Sequence, residues 1–222
     1  MARVFVTGGS GYLGSRLIQR LLNNGHEVTG LTRVKSAPKL PSGCRIVIGD
    51  PLVIDSFDDA VRGHDTFVHL VGVGRPAPWK AQAFRDIDLG SVKAGLYAAQ
   101  RAGVEHFIYV SVAHPAPIMN AYIEVRKEAE SRLKMGSIPS TILRPWYVLG
   151  PGRQWPLALQ PAYRLLERYR ATRDFAQRLG LVTVDQMIEA LAWAVEHPTK
   201  TWRVIGVPEI RRGCQEERAA NG

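Results

Sequence analysis

VFVTGGSGYLG, residues Val4 to Gly14, is the stretch from which the fold can be read. Arg3 to Val6 is a short β-branched and aromatic run, the pattern of a buried strand. Glycines follow at Gly8, Gly9, Gly11 and Gly14. Behind them, YLGSRLIQRLLNNG sets Leu13, Leu17, Ile18, Leu21 and Leu22 on one helical face and closes at Gly25. The order strand, glycine turn, helix is what gives a G-x-G-x-x-G spacing its weight. One glycine makes the tight turn, one lets the backbone approach a pyrophosphate, and one lets the helix pack close on the strand. The helix N-terminus adds unpaired amides and a partial positive charge. The loop Gly8, Gly9, Ser10, Gly11, Tyr12, Leu13 and Gly14 is therefore expected to bind a dinucleotide.

HEVTGLTR, after Gly25, reads as a second strand. About 20 positions past the glycines, an acidic residue would bond the free 2′-hydroxyl of NAD. Leu31-Thr32-Arg33 stands there instead, followed by Lys35. Arg33 can hold a 2′-phosphate through a forked, charge-assisted pair, although a plain surface role at the strand end is the alternative. The expected cofactor is NADP, with NAD as the alternative.

Strands and helices then alternate. RIVIGD reads as a third strand ending at Asp50, and DSFDDAVRG as a short helix with an acidic first turn. DTFVHLVGVG reads as a fourth strand ending in the small residues Gly72 and Gly74, which let a nucleotide lie across it. A long helical pattern runs from Trp79 to Ala102 through Ala83, Ile87, Val92, Leu96 and Ala99. HFIYVSV is the fifth strand, Tyr122 to Met135 the next helix, and STILRPWYVLGPG the sixth strand, leaving the sheet at Pro145. The expected fold is α/β, a doubly wound parallel sheet with a small C-terminal appendage. One domain is expected over residues 1–222, with a core at 1–150 and a reduced substrate-side segment at 151–210. In that segment Trp155 to Leu179 reads as a basic amphipathic helix, broken or not near Pro161. Thr183 to Glu196 is a helix with Met187, Ile188, Leu191, Ala192 and Val195 inward, and WRVIGV is a last short strand. Arg211 to Gly222 reads as a polar, disordered tail.

Composition bounds the rest. With 222 residues, 45% of them hydrophobic, the chain can bury a full core. No apolar run reaches the ~18 residues of a membrane span. The first strand begins at once and leaves no room for a signal peptide. Cys44 and Cys214 form no disulfide framework, and the six histidines carry no metal spacing. A cytoplasmic protein with free thiols and no metal site is expected. The net charge is +9, and residues 153–178 hold six arginines against Glu167 and Asp174. No nucleic-acid motif accompanies that excess, so no nucleic-acid partner is expected. The basic segment reads as a solvated face, with a partner or an anionic membrane surface as the alternative.

TGGSGYLG, the Gly49-Asp50 pair, FIYVSV, the helix start from Tyr122 to Glu130 and LRPWYVLGPG occur in the order seen in a known superfamily. On these motifs the chain resembles the extended and atypical short-chain dehydrogenases/reductases over nearly its whole length, best from Val4 to Gly152. The resemblance implies that Asp50, with Pro51 and Leu52, contacts the adenine and that Val71, Gly72, Val73 and Gly74 line the adenosine side. It implies that Tyr122 lies near the nicotinamide and that the segment from Pro145 and Trp146 onward shapes the substrate cavity. Catalytic members use a Tyr-x-x-x-Lys pair helped by a Ser or Thr after the fifth strand. Here Tyr122 is matched with Arg126, Lys127 falls one position late, and Ser111 closes the fifth strand. An arginine remains cationic but cannot share a proton. The catalytic candidates are Tyr122, Arg126 and Ser111, and the same three are expected to touch cofactor. Trp146, Tyr147 and Trp155 read as walls of an apolar cleft, suited to a small carbonyl or quinone-like substrate. Two readings follow: an NADP(H)-dependent oxidoreductase or epimerase-like enzyme, or a non-catalytic dinucleotide-binding sensor or subunit of a larger complex, respiratory ones included. A monomer and a homodimer both fit.

Overall fold

The computed structural model describes residues 1–74, 76–116, 119–152 and 179–214. Seven parallel strands form one sheet in the order β3-β2-β1-β4-β5-β6-β9. They are β1 (Arg3–Thr7), β2 (Glu27–Thr32), β3 (Arg45–Ile48), β4 (Thr66–His69), β5 (His106–Val110), β6 (Ser140–Leu143) and β9 (Trp202–Ile205). The chain first winds outward from β1 to β3, then returns to start β4 on the other side of β1. The topological switch therefore falls between β1 and β4. In open sheets of this kind ligands sit in the crevice at the carboxyl ends of those two strands.

Period-2 alternation sorts the side chains of each strand to two cores. Val4, Val6, Val68 and Ile108 face helices α1 (Gly14–Asn23) and α6 (Val184–Glu196). Phe5, Phe67 and Phe107 point the other way, toward α2 (Asp58–Val61), α4 (Gly90–Ala102) and α5 (Asn120–Met135). These phenylalanines lie opposite one another in the parallel register and stack, with ring centroids 5.4 and 5.0 Å apart. Buried aromatic contact across three adjacent strands locks the register, because a slip of one residue would turn each ring out of its core.

Several expectations need correction. Trp79 to Ala102 is not one α-helix: a 3₁₀ turn (Pro78–Lys80) and α3 (Ala81–Ala83) lead into a π-helical turn (Phe84–Leu89) before α4. The wider turn brings Phe84, Asp88 and Leu89 all inside. The fourth strand ends at His69 and the third at Ile48, so Gly72, Gly74 and Asp50 stand in the loops beyond. Arg211 and Arg212 close a helix, α7 (Val207–Arg212), rather than opening a tail; residues 215–222 lie outside the described residues. The short parallel pair β7 (Tyr147–Leu149) and β8 (Leu181–Thr183) was not expected. The basic segment and Trp155 lie outside the described residues. Helix α6 follows its reading, and its five named residues are buried. No described helix is long and apolar enough to cross a membrane.

Candidate functional site

The glycine loop closes on itself and on β4. Gly11 N–H donates to the Gly8 carbonyl at 2.9 Å. Gly8 has φ +72°, and a Cβ there would stand 2.9 Å from the Leu70 carbonyl. A Cβ on Gly14 would stand 2.2 Å from the Gly8 oxygen, so only glycine lets α1 start this close to β1. Leu13 precedes α1 and supplies no side-chain cap, and no acidic residue sits in its first turn. Helix α6, by contrast, has a full capping box from Thr183 and Gln186. Ser15 N–H returns to the Gly11 carbonyl at 3.2 Å and Leu17 N–H to that of Leu13 at 2.9 Å, and the uncapped start of α1 keeps its partial positive charge for an anionic ligand. Gly9 is the exception in the loop: a Cβ there would meet the Ile18 and Leu40 side chains, and Gly9 lines no described cavity.

Two cavities, of about 370 and 420 Å³, flank the loop and share Gly8, Gly11 and the segment Leu70–Gly74. The larger also takes in Ser10, Arg33, Asp50, Pro51 and Leu52. Arg33 is exposed at the end of β2, in extended backbone. Thr32 Oγ1 donates to Ser10 Oγ at 2.9 Å, tying that strand end to the glycine loop. The Asp50 carboxylate accepts Leu52 N–H at 2.9 Å and so holds its own turn. The smaller cavity adds Tyr12, Leu13, Gly14, Ser111, Tyr122, Arg126, Pro145 and Trp146. Its far wall is apolar, formed by Pro76, Val112, Tyr147 and Val148 beside Trp146. Every expected site residue except Gly9 thus lines one cleft.

Ser111 is 4% exposed, and its hydroxyl has no hydrogen-bond partner. A buried hydroxyl without a partner costs free energy, and a polar group of a bound molecule would relieve it. That orphan, the uncapped helix and the glycine cradle all fit a dinucleotide lying along the cleft.

Tyr122 is half-buried, its ring edge against Phe84 at 5.0 Å. Burial pushes its hydroxyl up, and Arg126 one turn on pulls it back. The Arg126 guanidinium carbon lies 4.9 Å from the centre of the Tyr122 ring. Its Nη1 donates to Tyr109 Oη at 3.0 Å and to the Val110 carbonyl at 2.8 Å, and its Nη2 to Asp88 Oδ1, while the buried Nε has no partner among the described residues. The other Asp88 oxygen accepts Val73 N–H at 2.9 Å. Burial works against both charges, yet the partners around Arg126 hold its pKa above the ordinary arginine value and keep it charged. Lys127 is turned out of the cleft onto Glu124 at 2.9 Å. Beneath lies His69, bonded to Thr7 Oγ1 at 3.0 Å and pushed down to about 3 by burial and by Arg126. It is a neutral packing histidine. His114 approaches Glu130 at 3.5 Å, and Arg144 grips the same carboxylate with two nitrogens, fixing the chain around Pro145. Among the described residues no cluster of His, Cys, Asp or Glu could hold a metal.

Sequence reasoning missed Asp88 and Tyr109. In FRDIDLGS, Asp88 looks like one more charge on a helix surface, as Asp86 is. Nothing local signals that a π turn carries it inside.

The profile of a family described as NAD(P)H-binding matches residues 8–158. The 3-beta-hydroxysteroid dehydrogenase of Mycolicibacterium neoaurum is 33% identical over 117 residues, 50% of this chain and 32% of that protein. The ceramide reductase of Caulobacter vibrioides is 25% identical over 160 residues, 70% of this chain and 49% of that protein. The chain thus spans about a third to a half of the length of these relatives. The crystal structure of the Bordetella bronchiseptica enzyme WbmH in complex with NAD+ superposes with a TM-score of 0.70 at 19% identity, over 100% of this chain and 83% of that one. That likeness is one of fold, with the same doubly wound sheet. The glycine cradle, the cleft at the β1/β4 switch and the matched profile lead to one conclusion: the chain belongs to the NAD(P)H-binding family, on a doubly wound Rossmann fold.

Proposed function

We propose that this protein is an NADP(H)-dependent oxidoreductase that reduces the carbonyl group of an apolar, quinone-like or lipid-like substrate. The observation that carries the reading is the Tyr122 ring in the same cavity as the glycine loop and the orphaned Ser111 hydroxyl. The apolar wall around Trp146 and Tyr147 supports an uncharged substrate. The names of the relatives, a steroid dehydrogenase and a ceramide reductase, agree with it. NADP is favoured over NAD because exposed Arg33 lines the cavity at the end of β2 and can pair with a 2′-phosphate, while the Asp50 carboxylate in that cavity accepts Leu52 N–H.

When bound, the reduced dinucleotide supplies a hydride to the carbonyl carbon. The glycine loop and the start of α1 hold the pyrophosphate. Ser111 Oγ orients the carbonyl oxygen. Tyr122 Oη passes its proton to that oxygen, which leaves the alcohol, and recovers a proton from solvent.

The test is turnover of NADPH with a panel of aldehydes, ketones and quinones, with Tyr122→Phe beside the wild type. The reading expects turnover that falls by about 10²–10⁴-fold in the variant while NADPH binding is kept. NADPH binding without turnover on any carbonyl would overturn it in favour of a sensor or a structural subunit.

A further inference from the structure

Resting on the role just given to Tyr122, we propose that Asp88 is a positioning residue: it anchors the Arg126 guanidinium in a buried ion pair, so that Tyr122 works beside a neutralised cation, as a proton donor rather than a base. Four elements meet here. Arg126 comes from α5, Asp88 from the π turn, Tyr109 from β5, and the Val73 amide from the loop that lines both cavities. The Asp88 and Arg126 side chains are 0% and 7% exposed. Both hydrogens of Arg126 Nη1 are used, on Tyr109 and on the Val110 carbonyl, and Nη2 is on Asp88. A Cβ on Gly72 would lie 2.7 Å from Nη2, so the cleft wall closes over the pair.

An unpaired cation one helical turn from a tyrosine lowers its pKa by about 1–3 units, through direct attraction of the phenolate. The Asp88 carboxylate paired with that cation opposes its field at Tyr122. The charged and titratable groups around Tyr122 are Arg126 on its own helix, Asp88 on the π turn and, through Arg126, Tyr109 on β5. His69 on β4 also feels Arg126 but stays neutral, with its pKa at about 3. In that setting burial dominates and the Tyr122 hydroxyl lies above its ordinary value of 10.0.

The test titrates tyrosinate absorbance of the full chain without cofactor. Wild type minus Tyr122→Phe isolates Tyr122. Asp88→Asn minus the Asp88→Asn/Tyr122→Phe double variant isolates it with the carboxylate charge removed. Asparagine keeps the shape and an acceptor for Val73 N–H. The expected Tyr122 midpoint is above 10.0 in the wild type and lower by about one pH unit or more in Asp88→Asn. A midpoint unchanged by Asp88→Asn overturns the assignment. Should that variant not fold, Asp88→Asn/Arg126→Gln removes both charges together. Its midpoint is expected to rise by less than about one unit from the wild type, and a larger rise shows that Asp88 never neutralised Arg126, which overturns the proposal. The titration needs no turnover. Failure to reduce any carbonyl would sink the proposed reaction while leaving the shift, and an unshifted midpoint in an active enzyme would do the reverse.

Discussion

Replacing Gly11 with alanine separates the cleft from the fold. A Cβ at Gly11 meets one atom within 4 Å, the Gly8 oxygen at 3.0 Å, so a small backbone adjustment accommodates it. The stability cost is expected at about 1 kcal/mol or less, or about 2–4 °C in Tm for a chain of this size. The new methyl, however, stands where the two cavities join. It keeps a phosphate from closing on the amides at the start of α1. Loss of two charge-assisted bonds at about 1.5–3 kcal/mol each raises the Kd for NADPH by at least about two decades. Gly14→Ala is the contrast. Its Cβ would sit 2.2 Å from the Gly8 oxygen and 2.8 Å from Gly9 Cα, backbone on both counts. That variant is expected to lose binding and about 1–3 kcal/mol of stability or more together. The assay is a fluorescence titration of NADPH on each variant beside its thermal melt. Gly11→Ala binding NADPH within about threefold of the wild type, a difference of well under 1.4 kcal/mol, would refute the reasoning.

Arg33→Ala should weaken NADPH binding by about one to two decades and leave NADH binding unchanged; equal losses for both would remove the 2′-phosphate role. Thr183→Ala breaks the capping box, in which Gln186 N–H donates to Thr183 Oγ1 at 3.2 Å and the Gln186 side chain accepts Thr183 N–H at 2.9 Å. It should cost about 1 kcal/mol in urea unfolding, and an unchanged midpoint would contradict the cap. Burial pushes His69 down to about 3 and His106 to about 4, whereas both titrate near 6.5 once unfolded. Their folded values lie below their unfolded ones, so stability is complete above about pH 6.5 and falls as pH drops, because only the unfolded chain takes up the protons. Each contributes a slope of about 1.4 kcal/mol per pH unit below that point. His106→Gln should remove one such increment between about pH 6 and 5, and an unchanged slope would exclude His106 as a source.

The parts of the fold that sequence reading captured are those written in local chemistry. The glycine loop, the buried strand from Arg3 to Val6 and the helix from Thr183 to Glu196 are each written in a few adjacent residues. The missed parts depend on meetings between distant segments. Asp88 and Arg126 are 38 positions apart, and their contact follows from a π turn that an apolar pattern of helical period does not reveal. Likewise β8 has three residues, and only its pairing with β7 makes it a strand. Arg126 lines the same cavity as Tyr122, yet the carboxylate that takes up its charge could not be read from the spacing.

Isothermal titration calorimetry of the full chain with NADPH and with NADH tests the central claim most directly. The account predicts one dinucleotide bound per chain, with NADPH the tighter by at least about tenfold, or 1.4 kcal/mol. Well-folded protein that takes up neither nucleotide would contradict it.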